Sequence, residues 1–279
     1  MSNIRVSDLG QISGAINRSK QNVLLDDGEN TRRAFLSQIL GSGSGVANSL
    51  VFKEEVTEIT EDMWDDISSG SFNITHAGMH YTAPSGRSYW LADADYFLGA
   101  GSTEQTAHHF VVVEDKISHT AQHQTTNVNT GAATSSLIYT STLPSIQSEL
   151  EADFGADHIK TQSLLLANAV SSGVPSGWAW IDKKAFLMNA CMVFGHNINF
   201  QGAAGDMYNC GNRARQLSLF RAMPETIIAR DKETDARATW WLDDAEGSAS
   251  FGIVGSDGTL AGYAGASTVL GVRRAFLIG

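Results

Sequence analysis

Three histidine pairs stand where imidazoles could share a metal or a proton: His76 and His80, His108 and His109, and His119 and His123. A separation of four puts two rings on one face of a helix, the arrangement that holds zinc in metalloproteases. The segment around His76 and His80 alternates like a strand, however, and there the same separation spreads the side chains over about 13 Å. Neither four-apart pair carries the Glu that a zinc protease places after its first histidine, so no metal and no cofactor is expected. Asp243, Asp244, Glu246 and Asp257 raise the question of calcium, which needs six to eight oxygen ligands from converging loops. Asp65-Asp66 and Asp26-Asp27 read instead as solvated acids at a helix start or in a loop. Cys191 falls among Met188, Met192 and Phe194, the setting of an inert buried thiol, while Cys210 sits in the polar run Tyr208-Asn209-Cys210-Gly211-Asn212. Gly41-Ser42-Gly43-Ser44-Gly45 matches the spacing of a nucleophile elbow but lacks its strand-to-helix context. The Trp178/Trp180 and Trp240/Trp241 pairs could stack on a sugar, yet their close spacing favours packing inside a fold. No catalytic constellation emerges, and no enzyme is expected.

The elements that must position these residues divide the 279-residue chain into two parts. Residues 1–45 form a polar arm, a short amphipathic stretch (Thr31 to Leu40) and the Gly/Ser linker. Its apolar stripe, with Phe35, Ile39 and Leu40, is the expected assembly contact. Residues 46–279 form the globular domain. Within it Thr60 is expected to cap a short helix that starts with acids. Phe72 to Thr82 and Arg87 to Phe97 read as strands joined at Pro84-Ser85-Gly86, and Phe110 to Val113 as a buried strand. A long polar loop over Ala121 to Ser136 follows. Leu143, Ile146, Leu150 and Phe154 recur at helical spacing, with Ser141 or Thr142 as cap and Gly155 as stop. A second helix is expected over Lys183 to Val193, capped by Asp182 and stopped by Gly195. From Trp240 to the end, short segments broken at glycines predict a β-meander with a tight turn at Asp257-Gly258. Two helices on a mostly antiparallel sheet make an α+β fold.

A net charge of −11 argues against nucleic acid, whose phosphates demand clustered Lys and Arg. Two cysteines without a Cys-x-x-Cys pair make a disulfide scaffold unexpected. No segment approaches the roughly twenty apolar residues of a membrane span, and the first residues lack a secretory pattern. Synthesis in a cytosol, with no membrane insertion, is therefore expected.

Trp240-Trp241-Leu242, the Ser256-Asp257-Gly258 turn and Gly271-Val272-Arg273-Arg274-Ala275-Phe276 occur in an order that resembles the closing signature of a domain family of unassigned function. That family is common in bacteriophages and prophages and is related to C-type-lectin folds and formylglycine-generating-enzyme-like domains. Tyr89-Trp90-Leu91-Ala92-Asp93-Ala94-Asp95-Tyr96-Phe97-Leu98-Gly99 and His108-His109-Phe110-Val111-Val112-Val113 are similar to its early strands, and the likeness runs from about Met63 to Gly279. The resemblance implies a C-type-lectin-like domain in a virion structural protein: a head decoration, fibre, tail or baseplate component. It also implies homo-oligomers, other virion proteins as partners, and the virion as location. An alternative is receptor binding, to a host surface glycan or protein through the meander face. The contact set implied for that face is Asp243, Asp244, Glu246, Ser248, Ser250, Asp257, Tyr263 and Ser267. The Glu-Pro-Asn and Gln-Pro-Asp triplets of calcium-dependent lectins are absent. The chain also ends without the cysteine that formylglycine-generating enzymes place near their closing motif.

Overall fold

The computed structural model describes residues 43–196 and 215–279. Gly43 N donates to Ser71 O (2.7 Å), and a one-turn helix α1 (Ser44–Ala47) follows. Gly43 to Gly45 of the expected linker thus lie within folded structure, and Gly41 and Ser42 lie outside the described residues. Asn48 fastens this entry by donating to Asp93 Oδ1 (3.1 Å) and Ala94 O (2.8 Å). After β1 (Glu54–Val56), α2 (Glu61–Ser68) begins as expected, with Thr60 Oγ1 accepting from Met63 N. β2 (Met79–Thr82) and β3 (Ser88–Ala94) pair in the expected hairpin, but β2 starts at Met79 and not Phe72. The cause is Asp66, whose carboxylate accepts from Ser71 Oγ, Asn73 N, Ile74 N, Thr75 N and Thr75 Oγ1 at 2.6–3.0 Å. These bonds coil the segment that alternation alone would extend.

β4 (Phe110–Glu114) is buried throughout, and β5 (Lys116–Ile117) and β6 (Thr120–Ala121) lead into the polar loop. α3 (Leu143–Phe154) buries the four expected apolar residues and stops at Gly155. Neither expected cap is used, because a π-helical turn, Ile138–Thr142, runs directly into the helix and Thr142 is itself helical. β7 (Ile159–Lys160) precedes a long ribbon of β8 (Gln162–Ser171) and β9 (Val174–Lys183), turned at Ser172-Gly173. The helix expected over Lys183 to Val193 does not form. Lys183 ends β9, β10 (Ala185–Leu187) joins the sheet, and only α4 (Ala190–Phe194) is helical. Ala185, Phe186, Leu187 and Met188 are buried on both strand faces, a pattern whose periodicity does not distinguish strand from helix. The cap is Asn189, which accepts from Met192 N, and Gly195 ends the helix in the left-handed region (φ 79°) as expected.

α5 (Ser218–Ala222), β11 (Ala229–Asp231) and β12 (Arg237–Ala238) precede the terminal meander. It consists of β13 (Trp240–Ala245), β14 (Ser250–Val254) and β15 (Leu260–Gly265), all antiparallel. β16 (Leu270–Gly271) returns beside β13, and β17 (Arg274–Ile278) crosses into the central sheet.

The central sheet has the order β1-β2-β3-β4-β17-β10, with β7 also on β17; the meander sheet is β15-β14-β13-β16-β6 and a small sheet is β12-β11-β5. Most pairings are antiparallel, so the fold is α+β, as the alternation of elements implied. The C-terminal strand lies inside the central sheet between β4 and β10. Trp240, Trp241, Phe276 and both arginines of the closing signature are fully buried, which makes that signature the joint between the two main sheets. Phe35, Ile39, Leu40 and Cys210 lie outside the described residues. Among the described residues no helix is long and apolar enough to cross a membrane.

Candidate functional site

The acids singled out in the sequence are placed by an irregularity in β13. Trp241 pairs with Ile253 and Ala245 with Phe251, so four steps along β13 oppose two along β14. The extra residues bulge, and a bulge turns side chains that would otherwise point to opposite faces toward one place. Asp243 and Asp244 both line a notch under the β8–β9 ribbon, walled by Ala167, Pro175, Trp178 and Asn189. Tyr139 Oη donates to Asp243 Oδ2 (3.4 Å), and Ala190 N, in the first turn of α4, donates to Asp244 Oδ2 (2.7 Å). Among the described residues no cation pairs with Asp243, Asp244 or Glu246. Burial and the charge of Asp244 push Asp243 well above the usual carboxylate range. Burial raises Asp244 to about 6, and burial together with Asp244 raises Glu246 to about 7. The notch itself holds about 20 Å³, room for about one water.

The rest of the expected contact set does not converge. Ser250 Oγ bonds Glu246 O, and Ser248 O accepts from Asn129 N, so both serve the turn that closes the notch. Ser267 donates to Asn127 Oδ1 from both backbone and hydroxyl, at the same end of the meander. Asp257 lies at the other end, beyond the Val254–Leu260 pair, in a turn it braces through Thr259. The four strand steps from Ser250 to Val254 alone span about 13 Å. Tyr263 is 67% exposed in mid-strand on β15, an edge of its sheet.

The histidines are each engaged in the fold. His119 Nε2 meets Glu149 at 2.9 Å, and His108 Nδ1 meets Asp95 at 2.9 Å. His123 is fully buried, stacked on Phe251 (3.6 Å), and burial depresses it to about 3, so it packs as a neutral aromatic. His76 and His80 contact Glu54 and Glu55, successive residues of β1 that face opposite ways, so the pair clamps that edge strand from both faces. Among the described residues no group of three or more His, Cys, Asp and Glu is arranged to hold a metal. Cys191 is buried, and burial pushes its thiol up to about 11.

Sequence reasoning missed a buried charge network behind the signature arginines. Arg274 donates to both oxygens of Glu114 (3.0 and 2.8 Å) and to Glu149 (3.0 Å). Arg273 donates to the carbonyls of Glu114, Thr226 and Ile227 and lies between the rings of Phe220 and Trp240. Burial depresses Arg273 to about 10. It also missed a larger cleft between the central sheet and the β12-β11-β5 sheet. There His80 lies between Glu55 (2.7 Å) and Asp115 (3.1 Å), above Trp90. The two carboxylates raise His80 against the opposing effect of burial, while Asp115 is held far below the usual range by His80, Trp90 and nearby Arg273. These residues come from β1, β2, β3 and the link between β4 and β5, and no local spacing announces them.

Compared with known proteins, the chain matches no protein-family model, no curated protein and no solved structure.

Proposed function

We propose that this protein is a non-enzymatic structural component of a bacteriophage particle, in the head decoration, fibre, tail or baseplate. On this reading its α+β domain is C-type-lectin-like and is presented through the residues that precede it. The observation that supports it is the role of the closing signature: Trp240, Trp241, Arg273, Arg274 and Phe276 are all fully buried and join the two main sheets. A motif that carries a fold should behave this way, and the resemblance of these residues to the phage family rests on that motif. The test is immunogold labelling of purified particles with antibody to this chain. Labelling at a fixed site supports the proposal; its absence from particles while the chain accumulates in infected cells refutes it.

Receptor binding through the meander is the second reading. Tyr263, Val269 and Val128 are 67, 59 and 54% exposed, and all three belong to the meander or to the loop clasped to it by Asn127 and Ser267. These apolar side chains are open to a partner. Binding to a glycan array or to whole host cells, lost on Tyr263→Ala with folding intact, distinguishes this reading from a purely structural one.

A further inference from the structure

We propose that the cleft between the central sheet and the β12-β11-β5 sheet binds a small organic anion, a carboxylate or phosphate on a compact apolar body. This site is distinct from the meander and goes beyond the structural role. The cleft offers about 310 Å³, the lower end of the range for small-molecule sites and far more than the notch beside β13. Its charged lining comprises Lys53, His80, Lys116 and Arg230 against Asp115 and Glu225. Both ring nitrogens of His80 face carboxylate oxygens, a geometry that requires the imidazolium, since each nitrogen must donate. Four bases thus gather in a chain whose net charge is −11, facing Asp115 and Glu225 on the wall and Glu55 and Asp235 at the rim.

Of the two acids on the wall, Asp115 is already spent. Asp115 Oδ1 accepts from Trp90 Nε1 (2.8 Å), and its Oδ2 accepts from His80 (3.1 Å) and Ser88 (3.1 Å). The bases, in contrast, are held only loosely. Lys116 and Arg230 share Asp235, which is 61% exposed, and Lys53 pairs with Glu55, which is 58% exposed. Exposed ion pairs of this kind contribute little, so an incoming anion can exchange for either carboxylate. Trp90, Met223 and Ile228 supply the apolar wall. A bare inorganic ion would leave that wall unused, and a neutral molecule would leave the bases unused.

Calorimetric titration of the full chain with phenyl phosphate, benzoate, inorganic phosphate and phenol tests the assignment. Phenyl phosphate and benzoate should bind more tightly than inorganic phosphate, phenol should not bind, and added salt should weaken the two organic anions. Replacing Lys116→Ala and Arg230→Ala together should weaken them by about tenfold or more, because two charge-assisted contacts are lost. Circular dichroism and melting should not change, and if they do, Lys53→Ala alone, on an exposed side chain, serves as the second variant. The proposal is overturned if neither organic anion binds, if phenol or inorganic phosphate binds equally well, or if binding survives the substitutions. None of these outcomes depends on where the protein resides on a particle.

Discussion

Asp244→Asn should stabilise the protein at alkaline pH, and the size of the effect follows from the notch. Asp244 is raised from an ordinary 3.8 to about 6 because burial opposes its charge more than the N–H groups of Ala190 and of Asp244 itself support it. An acid raised in the folded state binds its proton more tightly there than in the unfolded chain. Its favourable contribution is therefore full below its unfolded value and is lost as pH rises through the folded one. Two units at 1.36 kcal/mol each correspond to about 3 kcal/mol of stability missing above pH 6. Asn keeps an oxygen for Ala190 N but carries no charge, and it also relieves Asp243 and Glu246, both of which are raised by the charge of Asp244. Urea denaturation of both proteins near pH 4 and pH 8 isolates the effect, because packing differences cancel between the two conditions. The variant should gain about 3 kcal/mol on the wild type between them. An equal difference at both pH values would refute the reasoning and would mean that a cation already compensates the carboxylate.

Phe276→Ala should cost about 3–5 kcal/mol in thermal or chemical denaturation, because its ring is fully buried against Tyr89 and Phe154. Near-wild-type stability would refute its place in the core. His80 is raised above 6.5 by Glu55 and Asp115, so its contribution is full below pH 6.5 and is lost as pH climbs through the folded value. His80→Gln should abolish that part of the decline; an unchanged stability profile between pH 6.5 and 9 would contradict the clamp on β1. Glu114→Gln should destabilise by about 3–5 kcal/mol, since Arg274 is left in the core with one carboxylate, Glu149, at its edge. Combining it with Arg274→Met should recover most of the loss, and failure to recover would show that the arginine acts through Ile146 O and packing rather than through the pair.

Where local chemistry was enough, the elements were legible in the sequence. Thr60 before Glu61 and Asp62, the four-residue apolar rhythm ending at Gly155, and Gly195 after Phe194 each fix a helix end through bonds within one turn. Trp240 to Gly279 broke at glycines into segments too short for anything but strands, and the meander is there. The helix expected at Lys183 failed because Ala185, Phe186 and Leu187 are claimed by Phe276, Ala275 and Arg274, about ninety residues away in the chain. No periodicity records such a partner.

The same division holds for the sites. The sequence by itself determined that the chain folds as α+β, that its acids near residue 244 are close together, and that its closing signature is built for packing. Only the tertiary structure decided that a bulge turns Asp243 and Asp244 into one notch, that Asp257 is carried to the opposite end of the meander, and that Arg273 and Arg274 are buried. It alone brought Lys53, His80, Asp115, Lys116 and Arg230 around one cleft. The physical reason is range: caps, turns and strand alternation are set by neighbours within a few residues. Burial, charge compensation and cavities depend on which distant strands pair, and that is settled only when the whole core closes.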